Sequence, residues 1–199
     1  FYNLNDGNFE VALNYFSQST RILEEIGLKH GSDSKEMHLM STICLYFTRE
    51  EDEDLLHEVV EIIDQMFDEK YALLFNQDIN NTIIRFSHEM VQHGMYDEAI
   101  SILRRSVDFW ESIFIELEDC LRATVEHPYT RDKYGIHITF EQFQVSFPKM
   151  LTQKIAEHMK EAGDKIGRVE SLTNLLEYTT RYGDIGSAGD ICLQLSFLY

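Results

Sequence analysis

Gly94-Met95-Tyr96-Asp97-Glu98-Ala99 is the stretch that decides the fold. Its glycine permits a tight turn between two helices, the tyrosine two residues on can wedge between them, and Ala99 lets their backbones approach. The same arrangement stands at Gly7 to Ala12 (G-N-F-E-V-A) and at Gly183 to Ala188 (G-D-I-G-S-A). Ala12 lies 87 residues before Ala99, and Ala188 lies 89 after it. Each interval is about twice what one helical hairpin and its loops occupy, and Leu55, Val59 and Ile62 fall midway in the first. A period of this size indicates stacked helical hairpins.

Apolar spacing at three and four residues fills the intervals with helices. One is expected over 8–26, carrying Phe9, Ala12, Leu13 and Phe16 on one stripe, and a second over 34–48 with Ser34 as its N-cap. Glu50 to Asp54 then place five acids at the entrance of a third, over 55–67, where they suit the positive end of its dipole. A fourth is expected over 70–93 and an unusually long fifth over 96–123, with Trp110 in the core. The pattern stops between Glu126 and Ile138, which reads as a connecting loop. Thr139 to Gln142 has the spacing of a capping box for a short turn, and Pro148 is expected to restart the helix at its first position. Two more helices fit 166–182 and 185–198.

Gly7, Phe9, Ala12, Phe16 and Ser19, and again Gly94, Tyr96, Ala99, Leu103 and Ser106, resemble the turn and second helix of a tetratricopeptide repeat (TPR). The unit around Leu55 lacks both the Gly and the Ala, Leu195 stands where the third copy needs a small residue, and the Pro that usually follows each repeat is absent. The resemblance implies an all-α, right-handed α-α superhelix of about eight antiparallel helices in TPR-like hairpins. Residues 1–125 form the acidic hairpins, 126–138 the connecting loop, and 139–199 further hairpins of the same solenoid; the chain reads as a piece of a longer protein. The resemblance also implies a concave surface, lined by the first helix of each hairpin, that holds a peptide or helix of a partner.

Composition bounds the function. The chain has 199 residues, 17 Lys+Arg against 35 Asp+Glu, and a formal charge of −18. That surplus disfavours nucleic acid and anionic membrane surfaces, which need a basic face. Residues 1 to 100 hold 20 acids and 6 bases and residues 101 to 199 hold 15 and 11, so the acidity belongs mainly to the first half. Two Pro and 10 Gly leave few breakers and favour long helices. Cys44, Cys120 and Cys192 are widely spaced and odd in number, which reads as reduced core thiols of a cytoplasmic or nuclear protein. No apolar run approaches the roughly 18 to 20 residues that cross a bilayer.

No motif of catalysis stands out. The nearest, His88-Glu-Met-Val-Gln-His93, spaces its histidines by five residues, about 140° apart on a helix, whereas a zinc helix needs four. His57 and His158, each among glutamates, read as polar faces of acidic helices. Phosphate-cradling and nucleophile-elbow motifs are absent from the sequence. The expectation is a non-catalytic interaction module without cofactor or metal, binding a basic or amphipathic segment of another protein. The alternative is a peptide-sensing regulatory domain whose curvature or oligomeric state changes with ligand. Candidate partner-binding residues are Asn76, Asn80 and Arg85 on the fourth helix, where Asn amides can bond a peptide backbone, though Asn80 and its neighbour Asn81 cannot both face a groove. Tyr129, Arg131 and Tyr134 of the loop join them, because Tyr and Arg anchor interfaces well. A homodimer through the apolar end of the stack is also open.

Overall fold

The computed structural model describes residues 8–27, 32–49, 52–68, 77–128 and 139–199, which contain nine α-helices and no strand. They are α1 (Phe9–Glu25), α2 (Ser32–Thr48), α3 (Glu53–Asp68), α4 (Gln77–Gln92), α5 (Tyr96–Glu116), α6 (Glu118–Glu126), α7 (Phe140–Glu161), α8 (Lys165–Tyr182) and α9 (Ile185–Ser196). The chain divides into two compact units, Phe1–Thr82 and Ile83–Tyr199. The first holds 17 acids and 5 bases and the second 18 and 12, a net of −12 against −6. The expected connection at 126–138 belongs to the second unit, and its residues 129–138 lie outside those described.

In the first unit α1 packs on α2 and α2 on α3. Ala12 and Phe16 meet Met40 and Cys44 in a buried cluster, and Phe9 stacks on Phe47 with ring centroids 4.9 Å apart. Burial pushes the Cys44 thiol up to about 12, so it acts as an apolar core residue. The acidic run also caps α3, since an Asp52 carboxylate oxygen accepts the Asp54 backbone N–H at 3.1 Å. α2 begins at Ser32, two residues before the expected cap.

In the second unit α5 packs on α7, α7 on α8 and α8 on α9. Three of the turns are built alike. Met95, Asp164 and Asp184 each donate a backbone N–H to the carbonyl five residues back (Met90, Met159 and Thr179) at 2.9 to 3.1 Å. Gly94, Gly163 and Gly183 sit just before them with φ of +82°, +75° and +85°. This is the left-handed helix stop that glycine adopts without steric penalty. At the last two turns the following aspartate also opens the next helix: Asp164 accepts from Gly167 N–H (2.9 Å) and Asp184 from Ser187 N–H (3.1 Å). Gly163-Asp164 is thus a turn of the same construction that the hexapeptide pattern does not count.

The structure corrects several sequence expectations. The fifth helix is interrupted at Leu117, whose φ of −115° and ψ of 21° end α5 and redirect the chain into α6. That bend turns Leu121 and Val125 inward and brings Arg122 over the Phe140 ring, 4.4 Å from its centroid, and onto Glu141 at 2.7 Å. Pro148 does not restart a helix but lies buried inside α7, which runs without a break from Phe140. Across that position Trp110 stacks on Phe147 (4.4 Å, 10°) and Phe114 meets Phe143 edge-on (5.5 Å), an aromatic contact that holds α5 to α7 beside the missing N–H. Trp110 is a core residue, as expected, and Thr139 and Gln142 form the reciprocal capping box. Cys120 and Cys192 are exposed, not core. His158 is buried at 2% exposure, not part of a polar face. Ile185 is 86% exposed, so the third hexapeptide has its glycine turn but no wedge.

Candidate functional site

α7 and α9 both lie against α8, and the space between them is a groove of about 330 Å³ within the second unit. Its floor is apolar because α8 turns Leu172 and Leu175 toward Ala156 of α7 and Ile191 of α9. The two leucines, three residues apart, share one face of their helix. Thr179 also lines the groove. That side chain is fully buried, and its Oγ1 has no hydrogen-bond partner among the described residues.

The walls are polar and sort into fixed and free charges. Lys149 is committed: it reaches Asp184 at 3.1 Å and lies 4.7 Å from the centroid of the Tyr182 ring. Asp184 is held near a pKa of about 2 by the Ser187 hydroxyl, the Ser187 backbone N–H and Lys149. It therefore stays ionised while capping α9 and tying it to α7. Burial pushes the Glu157 carboxyl up, but hydrogen bonds from Lys154 and Gln153 outweigh it and leave the group below its ordinary value. Two cations and one carboxylate, the exposed Asp190, have no ion-pair partner among the described residues. Lys160 is exposed and has no carboxylate within ion-pair distance among the described residues, and Arg168 bonds only the neutral Gln194 amide, at 3.2 Å.

Of the residues singled out in the sequence, Asn80 is buried at 3% exposure while Asn81 is exposed, so within this pair Asn81 is the amide open to a partner. Arg85 is half-buried on α4. Asn76, Tyr129, Arg131 and Tyr134 lie outside the described residues. Neither Asn80 nor Arg85 lines the groove. Its own residues are divided among three helices, and in the sequence only the three-residue apolar spacing of Leu172 and Leu175 hints at a shared face. His88 and His93 are both exposed, with His88 bonded to Gln92 at 3.0 Å. No cluster of three metal-ligating side chains exists among the described residues, and none of their helices is long and apolar enough to cross a membrane.

No family model matches the chain, and no curated protein matches it in sequence. Among solved structures, it is similar to a Podosopora anserina protein described as a kinesin light chain with nearly identical TPR-like repeats. The two share 14% identity over 99% of this chain and 89% of that one, at a TM-score of 0.34. A likeness at that level carries no weight for the fold or for function. The fold class is defined by the chain itself: all-α among the described residues, with helices closed by glycine turns and packed helix on helix.

Proposed function

We propose that this chain is a non-catalytic protein-interaction module, and that the groove between α7 and α9 holds a segment of a partner protein. The observation that carries this reading is the groove itself: an apolar floor of Leu172, Leu175 and Ile191 beside the unneutralised Lys160 and Arg168. Apolar floor and cationic rim together suit a segment that presents an apolar side chain with a carboxylate nearby. A scaffold or adaptor role fits helical hairpins, whose exposed helix faces offer long surfaces. The acidic first unit, net −12, suits a second contact with a basic segment, for which the exposed Asn81 is the described candidate. Three free cysteines suit the reducing cytoplasm or nucleus.

Selection from a displayed library of random twelve-residue peptides tests the reading. Enriched peptides are expected to pair an apolar residue with Asp or Glu, and the double variant Lys160→Glu/Arg168→Glu to bind them at least about tenfold more weakly. Peptides that bind this variant as tightly as the parent chain would remove the groove from the reading.

A further inference from the structure

We propose that a second groove of the second unit, between α5 and α8, binds an arginine of a partner protein together with an apolar residue of the same segment. α7 packs on both helices and forms its floor. Asp108, Glu111 and Ile115 follow one another by three and four residues on α5, so they keep to one face of that helix. Asn174, Tyr178 and Arg181 do the same on α8. The two faces enclose cavities of about 230 and 300 Å³ that meet at Glu111 and Tyr178. There the Tyr178 hydroxyl donates to the Glu111 carboxylate and ties one wall to the other.

The smaller cavity has the chemistry of a guanidinium site. Asp108, Glu111 and Glu170 line it against one cation, Arg104, which already lies 3.9 Å from Glu170 in an exposed pair. Asp108 is exposed and has no cation within ion-pair distance among the described residues. The floor gives an independent sign. Thr152 is 4% exposed and lines the cavity, and its hydroxyl makes no hydrogen bond among the described residues. The exposed Asn174 amide stands on the α8 wall. Acceptors divided among three helices suit the planar fork of arginine, with its five N–H donors, better than the point charge of lysine. The larger cavity is lined by Phe114, Ile115, Val145 and Pro148, which suit an apolar side chain, and by the exposed Arg181, which disfavours a second cation there. Asp108 and Ile115 are seven residues apart, a rise of about 10 Å along α5. Three residues of a polyproline-II segment rise about 9 Å and return to the same side. The occupant is accordingly a segment with arginine and an apolar residue three positions apart.

The probe is a blocked heptapeptide with arginine at its centre, leucine at both ends and prolines between, compared with the same peptide carrying citrulline, which keeps the shape of arginine without its charge. Isothermal titration calorimetry of the 199-residue chain should find the citrulline peptide at least about tenfold weaker. Asp108→Arg should weaken the arginine peptide by at least about tenfold, whereas Asp119→Arg, the same change of charge on α6, should move it by less than about twofold. Both aspartates are exposed, so neither change disturbs the fold, which circular dichroism checks. No binding of the arginine peptide, equal binding of the citrulline peptide, or an equal loss in the two variants would overturn the proposal.

Discussion

His158 Nε2 lies 3.2 Å from Ser87 Oγ, and the direction of that hydrogen bond is fixed by a third group. The Ser87 hydroxyl donates its one proton to the Ile84 carbonyl at 2.7 Å, so it can only accept from the imidazole. Nε2 therefore carries the proton, and Nδ1, buried and without a partner among the described residues, keeps a bare lone pair. Protonating His158 would place a charge at Nδ1 with no acceptor. Burial accordingly holds its pKa below the ordinary imidazole value.

Stability should then depend on pH with a definite sign. Desolvation is the largest influence on His158 and disfavours its charged form, as do His88 (ring centroid at 6.4 Å) and Lys154, while Glu161 and Glu157 oppose them without prevailing. The folded pKa is depressed, so the contribution is fully present above about pH 6.5, the ordinary imidazole value, and is lost as pH falls toward and through the folded value. Urea denaturation should show the parent chain losing more stability between about pH 7.5 and 5 than His158→Gln, which keeps an N–H donor but cannot titrate. Equal losses would contradict the assignment.

Ser87→Ala should destabilise the chain by about 1 to 3 kcal/mol, because it removes the acceptor and leaves a buried N–H unpaired. Ser87→Ala combined with His158→Phe should cost less than the two single changes added together. Equilibrium unfolding of all three variants measures the coupling.

Trp110 stacks on Phe147 and is 1% exposed, so Trp110→Ala opens a large cavity between α5 and α7. A loss of roughly 3 to 5 kcal/mol is expected. Calorimetry should find the substitution much more costly than Trp110→Phe.

Two glycines should respond in opposite directions to the same substitution. Gly183→Ala forces a Cβ into a backbone at φ +85° and should cost about 1 to 2 kcal/mol. Gly189→Ala lies inside α9 with open space around it and should stabilise the monomer by roughly 0.5 to 1 kcal/mol. Thermal melts at low protein concentration separate the two effects from any self-association.

Much of the fold is legible in the sequence because local chemistry and tertiary packing agree. Gly94, Gly183, the Thr139 cap and the apolar stripes each specify an element by themselves. Leu117 and Pro148 mislead for the opposite reason. The α5 stripe continues smoothly through Leu117, and only the docking of Leu121 and Arg122 on α7 explains the bend. Pro148 carries a strong local stop signal that the Trp110, Phe143 and Phe147 rings override. The burial of His158 has a signal in the sequence, since it follows Leu151 by seven residues and Ile155 by three, on the buried face of α7. The groove has only the Leu172 and Leu175 spacing, because its shape depends on how far apart α8 holds α7 and α9.

Chemical-shift mapping on the isotope-labelled chain, titrated with a library-selected peptide, tests the central claim most directly. Shifts should concentrate on Gln153, Lys160, Arg168, Leu172 and Ile191 around the groove. Shifts confined to α1–α3, or absent at saturating peptide, would contradict it.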